Sequence, residues 1–112
     1  MKSARIYMHQ HLAGILTEDS EGYHFQYDTA YLELPEAEPI SLTLPLSSKE
    51  YSSALLFPFF DGLIPEGWLL DIAEKNWKLN PRDRMGILLA TCRDCIGAVS
   101  VIAIEQGEED GE

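Results

Sequence analysis

The chain has 112 residues, 46% hydrophobic and 24% charged, enough for one soluble domain with a single core and no staples. Eight Lys and Arg stand against 19 Asp and Glu, a net charge of −11. That balance repels a phosphate backbone and argues against direct DNA or RNA binding, while the absence of any run of about 18 apolar residues argues against a membrane span.

In chain order, Ala4 to Met8 and Leu12 to Thr17 are short apolar-rich runs of strand length, joined through His9-Gln10-His11 as a hairpin connection. Asp19-Ser20-Glu21-Gly22 is a turn cluster. Tyr23, Phe25 and Tyr27 then alternate with His24 and Gln26, the period of a half-buried strand. Asp28 is placed to cap one helical turn through Tyr31, and Pro35 and Pro39 bracket an irregular link. Ile40, Leu42 and Leu44 alternate with Ser41 and Thr43, which predicts a further strand stopped by Pro45.

The second half reads as helical. Ser52 or Ser53 caps a helix running through Phe60, which Pro58 kinks or shortens. Pro65 suits the first turn of a second helix reaching about Lys78. Asn80-Pro81 opens a third, with Met85, Leu88 and Leu89 on one face and Asp83 favourably near its N-terminus. Gly97 to Ile104, rich in valine and isoleucine, is a final strand. Strands, about three short helices and a last strand make an α+β domain with a largely antiparallel sheet. That domain should occupy 1–104. Residues 105–112 hold five acids, two glycines and no apolar side chain, the composition of a solvated, disordered tail. Without those five acids the body still carries −6. The N-terminus lacks the continuous apolar stretch of a secretory leader, and Cys92 and Cys95 suit free thiols in a reducing cytoplasm.

On the helix after Pro65, Leu69, Ile72 and Ala73 share one stripe at about 100° per residue, and that stripe faces the core. Trp68 falls to one side and Trp77 to the other, so each ring sits at the boundary of core and solvent. Either ring can simply lie flat over the edge of the core, and Lys75 and Lys78 can cover Trp77 with their stems. Trp68 has a second reading: Gly67 shields it little and Pro65 stiffens its approach, so Ile64, Pro65, Glu66, Gly67 and Trp68 form a presented segment suited to a protein partner. Asp61 and Glu66 flank that segment, either as groups facing a partner's cation or metal, or as caps and solvated charges.

The remaining candidates for chemistry are weaker. Cys92-Arg93-Asp94-Cys95 has the spacing of a thiol-redox motif or of half a zinc site. It closes a helix and precedes a strand, the reverse of the redox order, and no second ligand pair accompanies it. A small thiol oxidoreductase is therefore the lesser alternative. His9, His11 and His24 have no acidic ligand at fixed spacing, and hairpin surface accounts for them better than metal does. No nucleophile–base set and no glycine-rich phosphate cradle is present, so catalytic, metal and cofactor sites are all expected to be absent.

Phe57 to Trp68, Phe-Pro-Phe-Phe-Asp-Gly-Leu-Ile-Pro-Glu-Gly-Trp, and Thr91 to Val101, Thr-Cys-Arg-Asp-Cys-Ile-Gly-Ala-Val-Ser-Val, together carry a family likeness. With Ile6-Tyr7-Met8, Gly14, Tyr23 to Leu32 and Pro39 to Leu46, they resemble the N-terminal subdomain of HipA-type serine/threonine kinases of toxin–antitoxin systems. The resemblance runs over nearly the whole chain. A HipA-type protein would continue into a kinase core, but the glycine-rich loop, the lysine–glutamate pair and the catalytic-loop pattern are not found in this sequence. What the resemblance implies is the small third component of a three-gene system: a non-enzymatic antitoxin that binds and inhibits a separately encoded HipA-like, HipT-type kinase. A HipB-like DNA-binding protein would complete the complex. It also implies a structural role for Cys92 and Cys95, where the family has serine or another small residue, and a local Arg93–Asp94 pair. The HipA-type kinase compared has no tryptophan at the position of Trp68, a departure that suggests insertion into or beside the partner's active site. The alternative is an assembly subunit that bridges the kinase and the DNA-binding protein without blocking catalysis.

Overall fold

The computed structural model describes residues 2–64, 83–91 and 99–104. Strands β1 (Lys2–Met8), β2 (His11–Asp19), β3 (Gly22–Tyr27), β4 (Tyr51–Ser53) and β5 (Val99–Ala103) form one antiparallel sheet in the order β4-β3-β2-β1-β5. Among the described residues, three short helices, α1 (Thr29–Leu32), α2 (Pro58–Asp61) and α3 (Arg84–Thr91), accompany the sheet in the α+β fold expected from the sequence.

Strand alternation places the core on one face of the sheet. Ala4, Ile6, Met8, Leu16, Phe25, Tyr27, Val99 and Val101 are buried and lie in register across four strands. The β1–β2 pairing slips between Ile6 and Tyr7, so Ala13 is the extra residue of a bulge and both Ala13 and Gly14 turn inward. Phe57 and Phe60 of the α2 region and Met85 and Leu88 of α3 close over this face. The hairpin of β1 and β2 turns at His9, whose φ of 56° is a left-handed conformation that histidine adopts more readily than most residues. The β2–β3 turn ends at Gly22, where φ is 132° and a Cβ would lie 2.4 Å from the Ser53 carbonyl oxygen. Only glycine meets both demands.

Two aspartates cap helices: Asp28 as the sequence suggests, and Asp83, which stands just before a helix that starts at Arg84 and not inside one opened by Asn80-Pro81. Asp28 Oδ2 accepts from the Tyr31 amide at 3.3 Å, starting α1. Asp83 Oδ1 accepts from the Gly86 amide at 2.9 Å, and its Oδ2 meets Lys2 Nζ at 3.0 Å. The hydrogen bond to Asp83 holds the Lys2 ammonium above its usual range and ties the start of β1 to the start of α3.

Two expectations need correction. Residues 40–44 are not a strand but a tight turn: Ser41 and Leu44 form an isolated bridge, the Leu44 amide donates to the Ser41 carbonyl at 3.0 Å, and Leu42 is 95% exposed. Ser41 Oγ accepts from the Thr43 amide at 3.2 Å, so the alternating polar residues close the turn on their own backbone instead of facing solvent from a strand. Its two feet are held by Tyr27, whose hydroxyl donates to the Leu44 carbonyl and accepts from the Ile40 amide at 3.1 Å. Burial pushes the Tyr27 phenol up to about 12. The second correction concerns Ser52 and Ser53, which lie in β4 and cap no helix. The helix begins only at Pro58, in its first turn, because a residue before proline is driven out of the helical region and Phe57 sits at φ −55°, ψ 136°.

Short β4 is fastened to the sheet by His24. Its Nε2 lies 3.0 Å from Asp19 Oδ2, and its Nδ1 lies 2.9 Å from Ser52 Oγ and 3.2 Å from Glu50 Oε2. A neutral ring has one N–H to give, whereas the imidazolium donates on both sides. The hydrogen bond and charge of Asp19, with Glu50 and Glu21 nearby, hold His24 above the usual imidazole range. Asp19 is held below the carboxylate range, first by the Glu21 amide and then by His24. A raised histidine contributes stability that is complete below about pH 6.5, the unfolded value, and disappears as pH rises through the folded one. Asp19 contributes above its unfolded value and loses that contribution as pH falls through the depressed one. His24→Gln should therefore lower the thermal midpoint most near about pH 5.5 and progressively less at alkaline pH. Parallel wild-type and variant midpoints across that range would refute the linkage.

Candidate partner-binding surface

The segment expected to meet a partner starts from a firmly built anchor. Phe60 is fully buried between Phe57, Phe59 and Phe25, with ring centroids 6.2, 5.2 and 5.6 Å away. After α2 the chain keeps turning on local hydrogen bonds: the Gly62 amide donates to the Pro58 carbonyl at 2.9 Å, Leu63 to Phe60 at 3.0 Å and Ile64 to Asp61 at 3.2 Å. Leu63 and Ile64 are partly buried and packed against the core. Ile64 is thus a half-buried shoulder at the exit of the anchor.

Asp61, the other described member of the expected site, is engaged within the chain. Its Oδ1 accepts from Arg84 Nε at 2.8 Å, with the two side chains 44% and 38% exposed. At that exposure the pair is worth about 0–1 kcal/mol, enough to orient α2 against the first residue of α3 but little more. Beside it lies a groove of ≈ 420 Å³ lined by Tyr23, Leu55, Leu56, Pro58, Asp61 and Arg84. Leu55 is 77% exposed at its edge, and burial raises the Tyr23 phenol above its ordinary range. Arg84 and Leu55 were not singled out by the sequence: Arg84 reaches its partner across 23 positions, and Leu55 was hidden inside the expected helix. The Phe57-Pro58 step was the available signal, because it forces an extended residue just before the helix and leaves Leu55 in the preceding loop.

Pro65, Glu66, Gly67 and Trp68, the expected helix to Lys78 with Trp77, and the Cys92–Cys95 segment with Arg93 and Asp94 lie outside the described residues, as does the tail 105–112. Among the described residues, no group of three or more His, Cys, Asp and Glu side chains could hold a metal ion. No described helix is long and apolar enough to cross a membrane.

Comparison with known proteins places this architecture. The family model described as the HipA N-terminal domain matches residues 4–102. A solved structure, the N-terminal domain of HipA toxin, superposes with a TM-score of 0.73 and 28% identity over 95% of each chain. An uncharacterised protein of Haemophilus influenzae is 31% identical over 101 residues, covering 90% of this chain and 92% of that protein. Y4mE of Sinorhizobium fredii, provisionally named a kinase, is 27% identical over 96 residues, which span 85% of this chain but 23% of that protein.

Proposed function

The chain belongs to the HipA N-terminal domain family, and from that membership we propose that it is a HipS-like antitoxin with a HipA-related toxin–antitoxin role. It binds a separately encoded, HipT-type serine/threonine kinase in the cytoplasm and inhibits it. The observation that carries this reading is the family match over residues 4–102, supported by a Haemophilus relative in which the matched region fills 92% of the protein. In Y4mE the same region fills 23% of a much longer chain. A domain of this family supplied in trans is a means of occupying or holding a kinase without performing catalysis.

On this reading Trp68 enters or abuts the active-site cleft of the kinase, and Pro65, Glu66 and Gly67 present it. The rigid anchor ending at Ile64 supports that role, because a fixed base lowers the ordering cost of whatever follows it. Asp61, already bound to Arg84, stiffens the base.

The test is a kinase assay with the purified chain and the kinase alone, in the absence of the HipB-like DNA-binding protein. Stoichiometric inhibition is expected. Stable co-purification with undiminished kinase activity would instead identify an assembly subunit that bridges kinase and DNA-binding protein, and failure to associate at all would remove both readings.

A further inference from the structure

Two histidines and two glutamates unused by the proposed mechanism meet at the other end of the sheet. His9 Nε2 faces Glu38 Oε1 at 3.9 Å, and His11 Nε2 faces Glu36 Oε1 at 3.9 Å. They rim a cavity of ≈ 310 Å³ whose floor is made by Met8 and Tyr31, 7% and 3% exposed. Strand β1 runs from Lys2, beside Asp83, to Met8, so roughly 20 Å separates this cavity from the α3 end of the sheet. Both imidazole–carboxylate separations are too long for hydrogen bonds, and neither uses up the acceptor capacity of its glutamate. The rim is set in place beforehand. Tyr31 Oη donates to the Glu38 carbonyl at 2.7 Å and accepts from the Glu38 amide at 3.2 Å, while the Tyr31 ring stacks on Tyr27 with centroids 6.2 Å apart and planes 7° off parallel.

We propose that this cavity is a docking site for an arginine side chain of a protein partner. The aliphatic stem would lie over Met8 and Tyr31 and the guanidinium between Glu36 and Glu38. The volume sits at the bottom of the range for ligand pockets, about 300 Å³, and suits one side chain better than a cofactor. An apolar floor under two rim carboxylates, each also facing an imidazole, matches the two-part character of arginine, and its weakly hydrated fork gives up water more easily than an ammonium. A chain with net charge −11 also favours a basic partner surface. The proposal goes beyond the antitoxin reading and does not rest on it.

The isolated chain, isotopically labelled, can be titrated by NMR with N-acetyl-arginine amide, with N-acetyl-citrulline amide as the neutral isostere. Saturable shifts are expected at the Met8 methyl and at the amides of Glu36 and Glu38, with affinity in the low-millimolar range. The citrulline compound and a Glu36→Gln/Glu38→Gln variant should each weaken binding roughly tenfold. Equal shifts with citrulline would reduce the cavity to an apolar pocket, and no saturable shift would remove the site altogether. Zinc chloride binding at His9 and His11 in place of arginine would also overturn the proposal. Both glutamates are more than half exposed, and the unchanged amide spectrum elsewhere checks that the variant keeps its fold.

Discussion

Trp68→Ala should abolish neutralisation of the kinase while leaving the domain folded. An indole buries about 150–250 Å² on full insertion, on the order of 4–6 kcal/mol at about 25 cal/mol/Å² before ordering losses. Interface tryptophans that act as hot spots cost at least ~2 kcal/mol on truncation, which corresponds to a loss of affinity of about 30-fold or more. The assay is growth rescue in cells expressing the kinase, paired with in vitro inhibition by the purified variant. Circular dichroism identical to the parent separates lost contact from lost fold. A folded variant that still neutralises fully would end the insertion mechanism, and Trp77→Ala is the matched control for the second indole.

The second large effect is on stability. Phe25→Ala should cost about 3–5 kcal/mol, a large part of the 5–15 kcal/mol available to a domain of this size. Phe25 is fully buried, with its ring 4.9 Å from Tyr27 and 5.6 Å from Phe60, so it joins the sheet to the α2 anchor. The ring is closely fitted against the neighbouring strand β2. A Cβ on Gly14 would already lie 2.9 Å from the Phe25 ring and 2.4 Å from the Gln26 carbonyl oxygen, so ring and backbone are closely fitted there. The thermal midpoint should fall by at least ~12 °C, and neutralisation should fail at growth temperature through loss of folded protein. A drop of only a few degrees would mean that the sheet and the α2 anchor are not joined through this ring.

What the sequence revealed follows from how local each signal is. The alternation of Tyr23, Phe25 and Tyr27, the Asp28 cap and the buried face of Met85 and Leu88 all depend on neighbours within a turn or a strand, and the structure has them as read. Residues 40–44 misled because a two-residue period also fits a turn whose apolar feet point inward and whose middle leucine points out. The distinguishing contact comes from Tyr27, 13 positions before Ile40. Ser52 and Ser53 misled because β4 is only three residues long and owes its pairing to β3 and to His24, neither of which is visible locally. The attachment of Asp61 to Arg84 was not legible, since nothing in the sequence around either residue specifies a contact between α2 and α3.

Tyr27 also determines how the irregular connection between α1 and β4 behaves in time. One phenol bonds both feet of its turn from inside the core, accepting from the Ile40 amide and donating to the Leu44 carbonyl, so the Ile40 amide cannot open to solvent exchange by loop fluctuation alone. The connection opens when the sheet beneath it opens. A long loop that would ordinarily be a separate hinge is thereby tied to the strand beneath it.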